Sequence, residues 1–259
     1  MLFLRPLSVL ILASILSVAS AEEKPADYIL LGAGAWSRPI YDGANTNHTV
    51  AIPVIRYYGK HWFGRTTFGM LEGGIRAELL SGFTIGAQLA YEGGRDSAES
   101  AYLTNHKIST IPVSLSWGFH AELEKNIGPM PLIALLRYRQ DVDNARGAQA
   151  DLRLTAGVYS NVGINAGIFV QSTWANATSA QYNYGITTQQ SATSGLPVYT
   201  LQSGQLFNAA GLLWSYDVNA QWVLLGSLEW RGLREEALDS PLVEVSTGRY
   251  TSLGLAYQF

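Results

Sequence analysis

The chain ends in Tyr250-Thr-Ser-Leu-Gly-Leu-Ala-Tyr-Gln-Phe259. In an extended strand side chains alternate between two faces. Leu253, Leu255, Tyr257 and Phe259 therefore form one apolar ribbon, and Ser252, Gly254, Ala256 and Gln258 a small or polar one. The alternation runs to the last residue, which is aromatic. The ends of soluble domains usually fray, whereas a closed transmembrane barrel must seal its last strand against its first. The expected fold is all-β: a closed antiparallel transmembrane β-barrel.

The same segment resembles the recognition signal of bacterial outer-membrane barrels, with Ser252, Gly254, Tyr257 and Phe259 in its polar, glycine and aromatic places. The resemblance implies that the barrel-assembly machinery reads this strand. The other terminus agrees. Residues 1–21 place Arg5 before the apolar run Leu7–Val18 and end in Ala19-Ser20-Ala21, the layout of a signal peptide cut before Glu22. Residues 22–259 then form a single barrel domain. After Ala21 no apolar run is long enough for a membrane-spanning helix. The expected location is the outer membrane of a Gram-negative bacterium, with its lipid as the first partner.

Composition points the same way. Among 259 residues are 26 Gly, 14 Tyr and 7 Trp, and only 14% are charged, against about 25% in soluble domains. Mean hydropathy is only +0.08, because a barrel spreads apolar residues in alternation. The net charge of −3 is not segregated, so nucleic acid is not an expected partner. With no cysteine, the chain has neither a disulfide framework nor a thiolate site.

Twelve strands are expected: Tyr28 to Ser37, Thr49 to Tyr58, Trp62 to Gly69, Gly73 to Leu80, Phe83 to Tyr91, Ile108 to His120, Leu132 to Arg139, Ala150 to Tyr159, Ile164 to Trp174, Leu206 to Tyr216, Trp222 to Arg231 and Tyr250 to Phe259. An even number puts both termini on one side, the periplasmic one. Gly59-Lys60, Ser81-Gly82, Ser160–Val162 and Asp217–Ala220 read as short periplasmic turns, with Lys125–Pro129 slightly longer. Gly93–Lys107, Asn176–Gly204 and Gly232–Thr247 read as long outer loops. The Met70–Glu72 connection is short for an outer loop, which leaves ten strands as the alternative. Asn176–Gly204 carries Tyr182, Tyr184, Ile186 and Leu196–Tyr199, apolar enough to fold over the barrel mouth.

The inward ribbon carries Arg76, Glu78, Glu92, Arg137, Arg139, Asp151, Arg153, Glu229 and Arg231. Buried charges persist when paired, so these either neutralise one another or line a weakly selective pore. A twelve-stranded wall is narrow beside that of porins, which favours pairing. Catalysis has little support. The histidines match no metal spacing, and Ser116 and His120 are about 13 Å apart on one strand at about 3.3 Å per residue. No catalytic, cofactor-binding or metal residue is assigned, and an enzyme is not expected.

Several segments in fixed order resemble the MltA-interacting protein (MipA)/OmpV family: Gly32-Ala-Gly34 with Pro39 to Gly43, Ile52–Tyr58, Gly93–Arg95, Tyr184–Tyr199 and Asp239–Glu244. The resemblance implies an outer-membrane barrel without a catalytic motif. It also implies a scaffold joining a murein transglycosylase to a penicillin-binding protein, or, as the alternative, a small channel or receptor for solute or antibiotic uptake.

Overall fold

In the computed structural model, which describes residues 28–67 and 70–259, twelve antiparallel strands close into a barrel. They are β1 (Tyr28–Pro39), β2 (Asn47–Tyr58), β3 (Trp62–Thr67), β4 (Met70–Leu80), β5 (Phe83–Glu92), β6 (Ser114–Ile127), β7 (Met130–Asp141), β8 (Ala148–Asn161), β9 (Ile164–Ala175), β10 (Gly204–Asp217), β11 (Trp222–Leu233) and β12 (Thr247–Gln258). Each pairs with its sequence neighbours. β12 closes on β1 with Leu30 opposite Gln258 and Ser37 opposite Thr251. The leader expected over residues 1–21 lies outside the described residues.

Burial is inverted relative to a soluble sheet. On β9, Asn165, Gln171 and Thr173 are buried while Ile168 and Val170 are exposed. On β12, Leu253 and Leu255 are exposed and Ala256 is buried. Water penalises such an arrangement and hydrocarbon rewards it. Rings mark both edges of the apolar band. Trp117 meets Tyr138 edge-on at 6.4 Å near one end, and Trp222 meets Tyr257 at 5.3 Å near the other.

The ends differ in their connections. One, the turn end, holds tight hairpins, the start of β1 and the end of β12. Gly82 and Gly163 close two of these turns at φ of 76° and 73°, where a side chain would be strained. The opposite, loop end holds the long segments between β5 and β6, β9 and β10, and β11 and β12.

Three expected boundaries are corrected. The strand expected over Ile108 to His120 begins at Ser114 and runs to Ile127. Ile108 is instead buried among the loops, Pro112 offers no N–H, and Ile111 forms only an isolated bridge with Arg95 outside the named strands. Leu115 thus moves from mid-strand to the start of β6. The connection Lys125–Pro129 shrinks to Gly128-Pro129, because Lys125 pairs with Leu132. Met70–Glu72 is no connection: Thr67 pairs with Met70 and Arg65 with Glu72, so the β3–β4 hairpin is very short and twelve strands stand.

Candidate functional site

Period-two alternation sends one residue in two towards the lumen, and neighbouring strands bring these residues together. Arg137 on β7 donates to both oxygens of Asp151 on β8 at 3.0 and 2.9 Å, and to Glu72 on β4 at 2.9 Å. Glu72 also accepts from Arg65 Nε on β3 at 2.5 Å, and Arg65 reaches Glu122 on β6 at 3.4 Å. These charges form a belt from β3 to β8 across the barrel interior. Their burial is nearly complete, with Glu72 2% and Asp151 0% exposed. Such charges are tolerable because each has opposite partners and oriented donors.

Around this belt stand the other inward residues. Arg139 pairs with Glu92 at 2.5 Å. Arg153 donates to Gln171 and lies 4.7 Å over the Phe169 ring. Arg231 binds Glu229 at 2.9 Å and Asp42 at 2.8 Å. Arg76 is half-buried and donates to Thr84 at 3.3 Å. Glu78 lies apart from the belt: it is exposed at the turn end and accepts from the Gly82 N–H at 2.9 Å. Sequence reading missed Arg65, Glu72 and Glu122. Arg65 is two positions from the inward Phe63, and Glu122 continues the polar ribbon of Ser116 and His120, so period two could have found both. Glu72 was lost because it was placed in a connection.

His120 bonds Gln88 at 2.6 Å and packs edge-on against Phe63, with ring centroids 5.0 Å apart. Ser116 donates to Glu92 at 2.6 Å, on a neighbouring strand. On the terminal strand, Ser252 shares a hydrogen bond of 2.6 Å with Ser227. Gly254 faces inward beside Val54, where the space for a Cβ is already taken. Tyr257 stacks edge-on between Trp222 and Phe259, and the Phe259 N–H donates to Ile29 O at 3.1 Å.

The loop end is capped. Helix α1 (Ala101–Asn105) lies between β5 and β6. Helices α2 (Ala177–Tyr184) and α3 (Thr188–Ser194) lie between β9 and β10, and α4 (Glu235–Leu238) between β11 and β12. Local sequence sets them: the Asn176 side chain caps α2, Thr187 and Gln190 form a reciprocal capping box on α3, and Gly195 ends α3 in the left-handed region. Ile40, Tyr41, Leu103, Ile108, Ile186 and Leu242, from four separate loops, pack into one apolar cluster. A second cluster joins Ala180, Tyr184 and Leu201 to Phe207 and Leu233 on the wall. Loop backbones are tied by phenols and a serine: Tyr41 to Leu242 O at 3.1 Å, Tyr102 to Pro241 O at 2.6 Å, and Ser240 to Tyr184 O at 2.6 Å. Burial, with the neighbouring Glu244, pushes the Tyr41 phenol well above its ordinary pKa, and burial does the same to Tyr184. The segment expected to fold over the mouth does so.

Between cap and belt lies a vestibule of about 740 Å³. Arginines 38, 95, 137, 139, 153 and 231 line it, against Asp42, Glu92, Asp96 and Glu99.

The family described as MltA-interacting protein MipA matches residues 31–259. The MltA-interacting protein of Escherichia coli K12 is 28% identical over 254 residues, covering 96% of each chain. A putative outer membrane protein, YiaT, of Escherichia coli O157:H7 is 24% identical over 240 residues, covering 90% of this chain and 92% of its own. Among solved structures, an outer membrane channel from Pseudomonas putida F1 aligns at a TM-score of 0.48 and 10% identity, covering 93% of this chain and 100% of its own.

Proposed function

The chain belongs to the MipA family of outer-membrane barrels, and from that premise we propose that it is a non-enzymatic scaffold rather than a conduit. One observation carries the reading. The interior is crossed by the paired belt Arg65–Glu72–Arg137–Asp151, and the mouth above it is closed by packed loops. An open path would have to break buried ion pairs, which is costly when either partner is left alone. The channel alternative therefore asks the belt to part.

In this reading the turn end faces the periplasm and is the docking face. Its tips carry exposed apolar side chains, Val162 at 84% and Val218 at 50% exposure, beyond the ends of the paired strands. The partner class follows from the 28% identical relative named MltA-interacting protein: a murein transglycosylase, with a penicillin-binding protein as the second client that the family resemblance implies. Residues 1–21 act as the leader, and the mature mass should start at Glu22. The assembly machinery reads the terminal strand, so deleting Phe259 should lower the yield of heat-modifiable barrel in the outer membrane.

Immobilised refolded barrel should capture an MltA-type transglycosylase, and Val162→Asp with Val218→Asp should abolish capture while heat-modifiability stays. In planar bilayers the protein should give no stepwise conductance. Clear steps would overturn the sealed interior, and failure of capture would overturn the partner.

A further inference from the structure

The barrel wall formed by the described residues is incomplete on one side. β2 pairs with β1 along its whole length, but with β3 only at Arg56–Arg65, Tyr57–Gly64 and Tyr58–Phe63. Among the described residues, β2 from Asn47 to Ile55 has no paired strand on the side of the short β3–β4 hairpin. Alternate residues of that stretch turn their N–H and C=O into the gap. Bare hydrocarbon does not accept such an edge, and irregular backbone at membrane depth persists only beside protein or a polar cavity. Pro53 falls within the stretch, and proline in a sheet belongs at edges because it has no N–H to donate.

The vestibule reaches this gap. It touches inward Val50 and Ile52 and also outward Ala51 and Pro53 of the same strand, with Leu71 and Tyr91 across from them. A cavity meets both faces of one strand only around a free edge, so the vestibule opens sideways through the wall. The lips of this slot are apolar and its interior is cationic. Among the described residues, Arg38 and Arg95 have no carboxylate within 4 Å, whereas Arg137, Arg139 and Arg231 do. Arg95 is 8% exposed and gives one N–H to Asn183 O at 2.8 Å, while its Nε is buried with no hydrogen-bond partner. The Arg38 Nε is in the same condition. Burial without a carboxylate lowers Arg95 below the ordinary guanidinium range.

We propose that the vestibule binds the phosphate or carboxylate head of a membrane amphiphile, which enters sideways through the slot between β2 and the short β3–β4 hairpin. The head meets Arg38 and Arg95, whose planar guanidinium groups suit oxyanions. The chain stays outside along Ala51 and Pro53. A strand of another protein laid on β2 would satisfy the edge but would leave both arginines without an anion. This site does not depend on the scaffold reading.

The test uses full-length refolded protein in neutral detergent and native mass spectrometry, with heat-modifiable migration as the folding check. Phosphatidylglycerol should be retained about tenfold better than phosphatidylcholine. Arg95→Gln and Arg38→Gln should each reduce that preference severalfold. Ala51→Trp, which fills the slot and leaves the arginines alone, should cut lipid retention. If Arg95→Gln fails to fold, the half-buried Arg38 and the Ala51 variant decide. Equal retention of the two lipids, or retention unchanged in Arg38→Gln and Ala51→Trp, would overturn the proposal. Binding of inorganic phosphate without any lipid adduct would assign the arginines to a soluble anion and also overturn lipid entry.

Discussion

Glu72 is the residue on which the interior depends most, because its two oxygens serve two guanidinium groups from opposite sides, Arg65 at 2.5 Å and Arg137 at 2.9 Å. Replacing it with leucine leaves two like charges facing each other in a medium that screens them poorly. The expected cost is about 3–5 kcal/mol, the range for breaking a buried pair by removing one partner. Arg76→Gln removes a cation with a 3.3 Å hydrogen bond to Thr84 and a 5.3 Å approach to the Tyr58 ring from a half-buried site, and should cost less than about 1 kcal/mol. Urea midpoints of both variants in detergent micelles check this, and similar losses would mean that the belt does not stabilise the barrel. Arg153 has in its surroundings a glutamine acceptor and an aromatic face, Gln171 and Phe169.

At the scale of elements, the shift of β6 changes where a charge on the lipid face should hurt. Leu115 is the second residue of β6, close to the interface, whereas Ile168 is near the middle of β9 and 51% exposed. Ile168→Arg should cost about 2–4 kcal/mol as a midplane cation and Leu115→Arg about 0–1 kcal/mol near the boundary. Unfolding in lipid vesicles separates the two, and equal costs would mean that the membrane band is misplaced. The helices of the cap owe little to amphipathicity. Asn176 defines the start of α2, Thr187 and Gln190 that of α3, and Ala180 and Tyr184 pack α2 against Phe207 and Leu233 of the wall.

For the whole molecule, belt and cap are two barriers in series. Replacing 177–203 by a short turn should uncover the vestibule, and it should leave planar-bilayer conductance at baseline because the belt still crosses the interior. Combining that deletion with Glu72→Leu should raise ion flux above either change alone. Steps after loop removal alone would make the cap the gate and the belt permeable. The slot beside β2 belongs to this scale too: it arises because one hairpin is shorter than its neighbours, a fact about twelve strands together.

The sequence alone determined the barrel and the alternation of its faces, because period-two alternation and the aromatic end of β12 are local patterns, while the choice of twelve strands over ten waited for the pairing of β3 with β4. The inward parity of Arg137, Arg139, Asp151 and Arg153 was equally legible. Which charge meets which was not. Arg137 and Glu72 are 65 positions apart, and only closure of the sheet brings them together. Ile108 read as a strand residue because its neighbours are β-formers, yet a hydrophobic cluster built from four loops draws it out of the sheet. Nothing in the sequence marked the gap along β2: Pro53 lies in it, but Pro39 and Pro131 lie in strands as well. Tertiary structure decided the belt, the cap and the slot because each is made by residues distant in the chain, and no local periodicity encodes such meetings.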